Sequence, residues 1–347
     1  MDLFRSELYV DDLKKTTNSF DLESFYGKTF LITGGLGLVC SAIVDLLIEA
    51  NLEYDADIKI YIADINYPLF KTKYPNKENV FFINYNSINQ IDFSFGVDFI
   101  IVGAGLANPN LYVSKPIETM LSNANGVRNL LEYAKHHSAK RVLYISSSEI
   151  YGKNEYGRPF LETDLSCFDT NNIRSSYACT KSFCELLCKS YAAEINSDAV
   201  IVRPGHIFGP SASPFDARIS SDFCFKAARG ENLVLKSSGS QIRSYCYSLD
   251  CAKAILTVLL YGEKSESYNI SNEDQISIKE LSEFIAKCGG VDLLYDNPKE
   301  IEAKAFNPMN NSCLDCTKLF NLGYRPSFCY EKGIDHTIKI IKDLYYK

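Results

Sequence analysis

Tyr177-Ala-Cys-Thr-Lys181 sets a phenol and an ammonium four residues apart, on one face of the helix expected there. An ammonium beside a phenol favours the phenolate and lowers its pKa. A phenolate available near neutral pH can take a proton from a hydroxyl while hydride leaves the same carbon. The spacing alone says little, because the chain has 23 Tyr and chance pairs at this interval are expected. Tyr67 and Lys71 form such a pair, but Pro68 between them bars a mid-helix position. Tyr177 is set apart by the upstream block Ser146-Ser147-Ser148-Glu149-Ile150-Tyr151-Gly152, which directly follows an apolar run. The ordinary alternative for these serines is a solvated turn with a helix cap.

A second group of residues could hold a diphosphate. Thr33-Gly34-Gly35-Leu36-Gly37-Leu38-Val39-Cys40 lies between an apolar run and an amphipathic stretch. Backbone N–H groups from Gly34 and Gly37 through Leu38 and Val39, at the start of a helix, suit a pyrophosphate. A glycine turn by itself is an ordinary tight turn. Asp64, at the end of the next apolar run, adds context. Its carboxylate can accept from both hydroxyls of an adenosine ribose and repels a 2′-phosphate, which favours NAD over NADP. Cys40 occupies the third glycine position. It is small enough for helix-to-strand packing, with less room.

These groups need a scaffold, and the patterning supplies one. Short apolar runs at Thr29–Thr33, Ile58–Ala63, Val80–Ile83, Val97–Val102, Arg141–Ile145 and Ala199–Arg203 alternate with helical spacing over 38–50, 116–136 and 175–194. That alternation predicts βαβ units and a parallel sheet, and strands apolar on both faces predict helices on both sides. Beyond residue 205, helices are expected near 219–229, 249–261, 277–287 and 330–345, with short strands near 233–235, 243–247 and 267–270. The expected fold is α/β, a Rossmann-type doubly wound parallel sheet with a smaller, mixed α/β substrate lobe over the strands' carboxyl ends. The expected division is an N-terminal extension at 1–24, a dinucleotide-binding domain at 25–204 that carries the catalytic residues, and at 205–347 a lobe with some return to the core.

Composition narrows the partners. The net charge is −7 with both signs interspersed, so nucleic acid is a poor fit. No apolar stretch is long enough to span a membrane, and the N-terminus lacks the basic start and apolar core of a secretion signal. Twelve Cys then fit a reducing, cytoplasmic setting. Cys313-Leu-Asp-Cys316 is the one CxxC, and with only four His in the chain no second pair completes a zinc site. The cysteines read as small apolar fillers or surface thiols, and no metal is expected.

Taken together, the glycine turn, the Ser-Ser-Ser-Glu-Ile-Tyr-Gly block and Tyr177/Lys181 resemble the extended short-chain dehydrogenase/reductases, in particular the NAD-dependent sugar-nucleotide epimerase/dehydratase group. The resemblance runs from Lys28 to Pro326. It implies NAD as cofactor, a nucleotide-diphosphate sugar as substrate, and Tyr177 as the base, with Lys181 tuning it and binding the nicotinamide ribose. Ser147 matches the family's hydroxyl that bonds the reacting oxygen, and Glu149 matches the acid of the dehydratases and decarboxylases. Ala104-Gly105 looks like the nicotinamide-side turn, and Asn86-Ser87 stand where an adenine-contacting pair is usual. Pro204 closes the cofactor side.

Within the family the chain looks most like the UDP-glucuronate decarboxylases. Asp216-Ala-Arg218 and Gly239-Ser-Gln-Ile-Arg243 resemble their diphosphate-binding region, and Arg174-Ser-Ser-Tyr177 is also similar to theirs. Arg forks match phosphate oxygens, although each Arg could equally make a surface ion pair. His206 replaces a usual Asn; a neutral imidazole still donates one hydrogen bond, and a charged one would do more. Ser148, also assigned to the substrate, stands where the dehydratases have an Asp. The stretch Asn307–Ser312 lacks an Arg that the decarboxylases carry. The resemblance therefore implies transient oxidation at C4 of the sugar, followed by decarboxylation or C4 epimerisation. A 4,6-dehydratase, a net dehydrogenase or ketoreductase, and a non-catalytic binding protein stay open. Relatives dimerise through the two helices around Asn123–Tyr133 and Tyr177–Tyr191, so a homodimer is expected.

Overall fold

The computed structural model describes residues 1–91, 93–296 and 310–346; of Asn307–Ser312, the first three residues lie outside this description. Eleven strands matter here: β1 (Thr29–Thr33), β2 (Lys59–Asp64), β3 (Val80–Asn84), β4 (Phe99–Val102), β5 (Arg141–Ile145), β6 (Ala199–Pro204), β7 (His206–Phe208), β8 (Leu233–Leu235), β9 (Ile242–Arg243), β10 (Tyr245–Tyr247) and β11 (Ser267–Ile270). The helices used below are α1 (Glu7–Thr17), α2 (Leu38–Tyr54), α3 (Tyr67–Lys73), α4 (Pro109–Ser114), α5 (Pro116–His137), α6 (Ser176–Ile195), α7 (Ile219–Ala228) and α8 (Ser248–Tyr261). Seven strands form the central sheet in the order β11-β6-β5-β4-β1-β2-β3, every pair parallel. The order reverses between β1 and β4, which opens a crevice at their carboxyl ends, where such sheets bind ligands.

The sheet is buried on both faces, as its apolar runs require. Along β1, Phe30 and Ile32 join one core cluster, while Leu31 joins the other with residues of α5 and α6. This alternation is the period of two of a strand placed between two helical layers. The strands of the 205–347 region fall in two places. β7 to β10 lie outside the central sheet, whereas β11 extends it beside β6, and α8 packs on α2.

The N-terminal residues are docked onto this core. Tyr9 and Leu13 of α1 are fully buried. The Tyr9 hydroxyl donates to Asp45 of α2 at 2.6 Å, and the Tyr247 hydroxyl donates to Asp12 at 3.1 Å. Tyr67 and Lys71 fall in the first turn and a half of α3, with Pro68 at the helix start, where a missing N–H costs nothing. Tyr67 is 48% exposed, and this pair takes no part in the cleft described next.

Candidate active site

The turn after β1 has room only for glycine at its tightest point. Gly34 has φ +67°, and a Cβ there would stand 2.9 Å from the backbone N of Ala104 and the O of Gly103. The loops after β1 and β4 thus meet backbone to backbone across the switch point. Gly37 caps α2 in extended conformation, so the first-turn N–H groups of Leu38 and Val39 open toward the cleft. Asp64 lies over this turn: its carboxylate accepts from Leu36 N at 3.4 Å and Asn66 N at 3.1 Å. Cys40 fits because the wall it faces carries a glycine, Gly103. A Cβ at Gly103 would meet Cys40 Sγ at 2.3 Å. Burial pushes the Cys40 thiol up to about 12, so it serves as packing rather than as a nucleophile.

β5 delivers the serine block. Ser147 caps the short 3-10 turn Ser148–Tyr151, its Oγ accepting from Glu149 N at 3.2 Å. That is the ordinary capping role, and the same hydroxyl is one of the groups that pull the Tyr177 phenol down. Ser148 is buried. Beneath the block, Arg203 at the end of β6 binds Glu185 of α6 and the Tyr151 hydroxyl at 2.8 Å. The Tyr151 hydroxyl in turn donates to Asn269 of β11 at 2.7 Å. This buried network ties β6, α6 and β11 to the turn that carries Ser147 and Glu149.

Tyr177 and Lys181 occupy the first turns of α6, both buried. Lys181 Nζ donates to Ile145 O at 2.7 Å and lies 5.7 Å from the centre of the Tyr177 ring. Burial lowers Lys181 to about 8. The expectation that Lys181 lowers the phenol is not met in the protein alone. Burial, followed by the Glu149 carboxylate, raises Tyr177 to about 12, and Ser147, Tyr112 and Arg218 pull against that rise. The lysine's charge is desolvated and directed at a carbonyl, so it does not offset the burial of the phenol.

Glu149 is held by Arg174 through two bonds, at 3.1 and 3.2 Å. Arg218 forks onto Asp216. Arg243 is 2% exposed and bonds only to neutral acceptors, Ile242 O, Asn310 O and Gln241 Oε1; no carboxylate among the described residues pairs with it. Beside it His206 shares a hydrogen bond with Ser312 Oγ at 2.8 Å. Burial, then Arg243 and Arg218, push His206 down to about 3. In the protein alone the imidazole is therefore neutral and offers one donor.

A cleft of about 1090 Å³ brings the candidate residues together. Its lining includes Gly34, Gly37, Leu38, Val39, Asp64, Asn86, Ser87, Ala104, Gly105 and Pro204, together with Ser147, Glu149, Tyr177 and Lys181 and with Ser148, Arg174, His206, Arg218 and Arg243. The glycine cradle, the Asp64 carboxylate and Lys181 suit an NAD molecule. Asn123 adds an orphaned buried Oδ1 close beside Gly105, a free acceptor on the expected nicotinamide side. Sequence reasoning missed Asn123 and also Tyr112, whose ring stacks on Tyr177 with centroids 4.2 Å apart. Neither carries a signal in sequence, since both are common residue types brought in by tertiary packing.

A sequence model described as the NAD dependent epimerase/dehydratase family matches residues 30–271. The chain belongs to this family. Its members act on nucleotide sugars as epimerases, decarboxylases and dehydratases, and NAD is the cofactor. The chain is similar to the UDP-N-acetyl-alpha-D-glucosaminuronate decarboxylase of Bacillus cytotoxicus, 28% identical over 330 residues, covering 91% of this chain and 98% of that one. It is 27% identical over 268 residues to UDP-glucuronic acid decarboxylase 6 of Arabidopsis thaliana, covering 74% and 72%. Among solved structures, the UDP-N-acetylglucosamine 4-epimerase of Methanobrevibacter ruminantium, in complex with UDP-N-acetylmuramic acid, superposes with TM-score 0.78 at 26% identity, covering 91% and 98%. A dTDP-glucose 4,6-dehydratase of Streptomyces venezuelae shares the fold, with TM-score 0.76 at 22% identity over 91% and 97%. Among the described residues no helix is long and apolar enough to cross a membrane.

Proposed function

We propose that this epimerase/dehydratase oxidises C4 of a UDP-linked sugar, lets the 4-keto sugar lose a C6 carboxylate or turn over, and returns the hydride. The observation that carries the reading is the shared cleft, in which Tyr177, Ser147 and Lys181 line the same space as a dinucleotide cradle and the buried Arg243, with which no carboxylate among the described residues pairs. A guanidinium in that state invites a diphosphate, with His206 as a neutral donor and Arg218 beside it.

NAD, when bound, would supply the hydride acceptor. Tyr177 takes the C4 hydroxyl proton, and Ser147 donates to the reacting oxygen. Lys181 holds the nicotinamide ribose and faces the phenol. Glu149 is oriented by the two bonds from Arg174, placed to exchange a proton at the neighbouring carbon. A 4-keto group stabilises the electron pair left when a C5-bound carboxylate departs as CO2. Dehydration is the weaker reading, because Ser148 stands where an acid would protonate the leaving hydroxyl.

The test is a panel of UDP-glucuronate, UDP-N-acetylglucosaminuronate, UDP-glucose and UDP-N-acetylglucosamine, with products read by mass spectrometry. Loss of CO2 from either uronate supports decarboxylation, and unchanged mass with inverted C4 supports epimerisation. Loss of water points to the dehydratase, and accumulated NADH to a net dehydrogenase. Bound NAD with no label exchange at any sugar carbon refutes a catalytic role.

The reading includes a homodimer built on α5 and α6. Ile117, Met120 and Leu121 on α5 and Phe183 and Leu186 on α6 are all exposed, an apolar face that a second copy would cover. Sedimentation of a monomer at micromolar concentration would count against it. Twelve free cysteines support a reducing, cytoplasmic setting.

A further inference from the structure

Lys73, the last residue of α3, carries a buried ammonium. Its Nζ donates to Leu36 O at 3.1 Å. Leu36 stands in the dinucleotide turn between Gly35 and Gly37, and glycine on both sides leaves its peptides little local restraint. Two contacts from outside the turn supply that restraint. Asp64 accepts from Leu36 N at 3.4 Å, and Lys73 holds the Leu36 carbonyl. That carbonyl belongs to the peptide running into Gly37, whose N–H donates to Gly34 O at 3.0 Å and which caps α2. Fixing the carbonyl therefore fixes the direction in which the first N–H groups of α2 point. Leu36 is itself buried, and neither it nor Lys73 lines the cleft, whereas Gly34, Gly37, Leu38, Val39 and Asp64 do. Lys73 acts from behind the wall.

Both grips on Leu36 come from one unit. β2 ends at Asp64, Asn66 caps α3 by accepting from Leu69 N at 3.0 Å, and Phe70 and Tyr74 anchor α3 in the core. Burial lowers Lys73, and the Asp45 and Asp64 carboxylates oppose that fall. Taking an ammonium out of water is unfavourable, and an apolar chain would fill the same space. What the ammonium adds is the hydrogen bond to Leu36.

We propose that Lys73 is a positioning residue of the NAD site: by holding the Leu36 carbonyl while Asp64 holds the Leu36 N–H, it sets the glycine turn in the form that receives the pyrophosphate. It touches neither cofactor nor sugar, and the role is independent of which sugar reaction follows.

The test is calorimetric titration of the full-length protein, freed of cofactor, with NAD and separately with UDP. Lys73→Met removes the donor and keeps an unbranched chain. It is expected to weaken NAD binding about three- to tenfold, the range of one hydrogen bond, and to leave UDP binding unchanged. Lys73→Gln is neutral and one bond shorter, so it falls short of Leu36 O; the same loss is expected, and it serves where Lys73→Met does not fold. Amide hydrogen exchange without cofactor reads the turn itself: residues 34–39 are expected to exchange faster in the Lys73 variants, and residues 177–185 as in wild type. Tyr9→Phe removes a bond to Asp45 but not the one to Leu36. It is expected to lower the urea midpoint and to leave NAD affinity at the wild-type value. Wild-type NAD affinity in a folded Lys73 variant overturns the proposal. So does an equal loss for NAD and UDP, or a loss of NAD affinity in Tyr9→Phe as large as in Lys73→Met, because general loosening of the fold predicts those results.

Discussion

Replacing Gly103 by Ala probes how this chain carries a cysteine in the third position of its dinucleotide turn. A methyl at 103 would stand 2.3 Å from Cys40 Sγ and 3.0 Å from Thr33 O. Non-bonded heavy atoms need roughly 3.5–4.0 Å, so the sulfur must retreat by about an ångström or more. Cys40 is 4% exposed and packed against the sheet, which leaves it little space. Overpacking of this kind costs about 1–3 kcal/mol. At about 2.1 cal/mol/K of unfolding entropy per residue, a chain of 347 residues converts that to a Tm lower by about 1.5–4 °C. Cys40→Ala removes the sulfur. In that background the same Gly103→Ala change is expected to lower Tm by no more than about 1 °C, because only the milder contacts with Thr33 O and Ile145 Cδ1 are left. Thermal unfolding of the four proteins, followed by circular dichroism, completes the cycle. An equal drop in both backgrounds would falsify the compensation between Cys40 and Gly103.

Three further perturbations address other parts of the account. Arg243→Met is expected to weaken UDP binding about 10- to 100-fold, the loss of one charge-assisted contact, and to leave NAD binding unchanged; calorimetry showing undiminished UDP affinity removes Arg243 from the phosphate site. Tyr9→Phe leaves buried Asp45 one donor short and is expected to cost about 1–3 kcal/mol. A urea midpoint unmoved by that change would mean that α1 is not coupled to the core through this bond. Burial raises Asp45 from its ordinary 3.8 to about 6, and Asp250 likewise. The folded state then binds these protons more tightly than the unfolded chain. Their contribution is full below about pH 4 and is lost as pH rises through about 6. Asp45→Asn is expected to lessen the fall in stability across that window, and a wild-type slope in the variant contradicts the assignment.

The sheet was legible because a parallel sheet covered on both faces needs continuous apolar strands, and β1, β2, β4, β5 and β6 have them. The glycine turn and the serine block were legible because each followed such a strand, at the end where these folds bind ligands, and the Tyr177/Lys181 pair was legible through the serine block upstream of it. Short elements were not. α4 has six residues, too few for a hydrophobic period, and α1 looks polar because Tyr9 and Asp12 bury polar atoms that find partners on distant α2 and β10. Electrostatics were the least legible. Sequence put Lys181 beside Tyr177, but burial, which raises the phenol and lowers the lysine, depends on the whole enclosure. The neutral state of His206 and the fit of Cys40 against Gly103 likewise depend on contacts made across the fold.

The central claim is that Tyr177 removes the proton that lets hydride leave the sugar. Rapid mixing of NAD-loaded protein with UDP-glucuronate, followed at the nicotinamide absorbance band, tests it most directly. Wild type is expected to show transient NADH that decays as product forms. Tyr177→Phe, which keeps the ring and its stack, is expected to bind UDP and NAD as before while its NADH signal falls by at least about 100-fold, the lower range for loss of a general base. A Tyr177→Phe protein that forms NADH at the wild-type rate would contradict the account at its base.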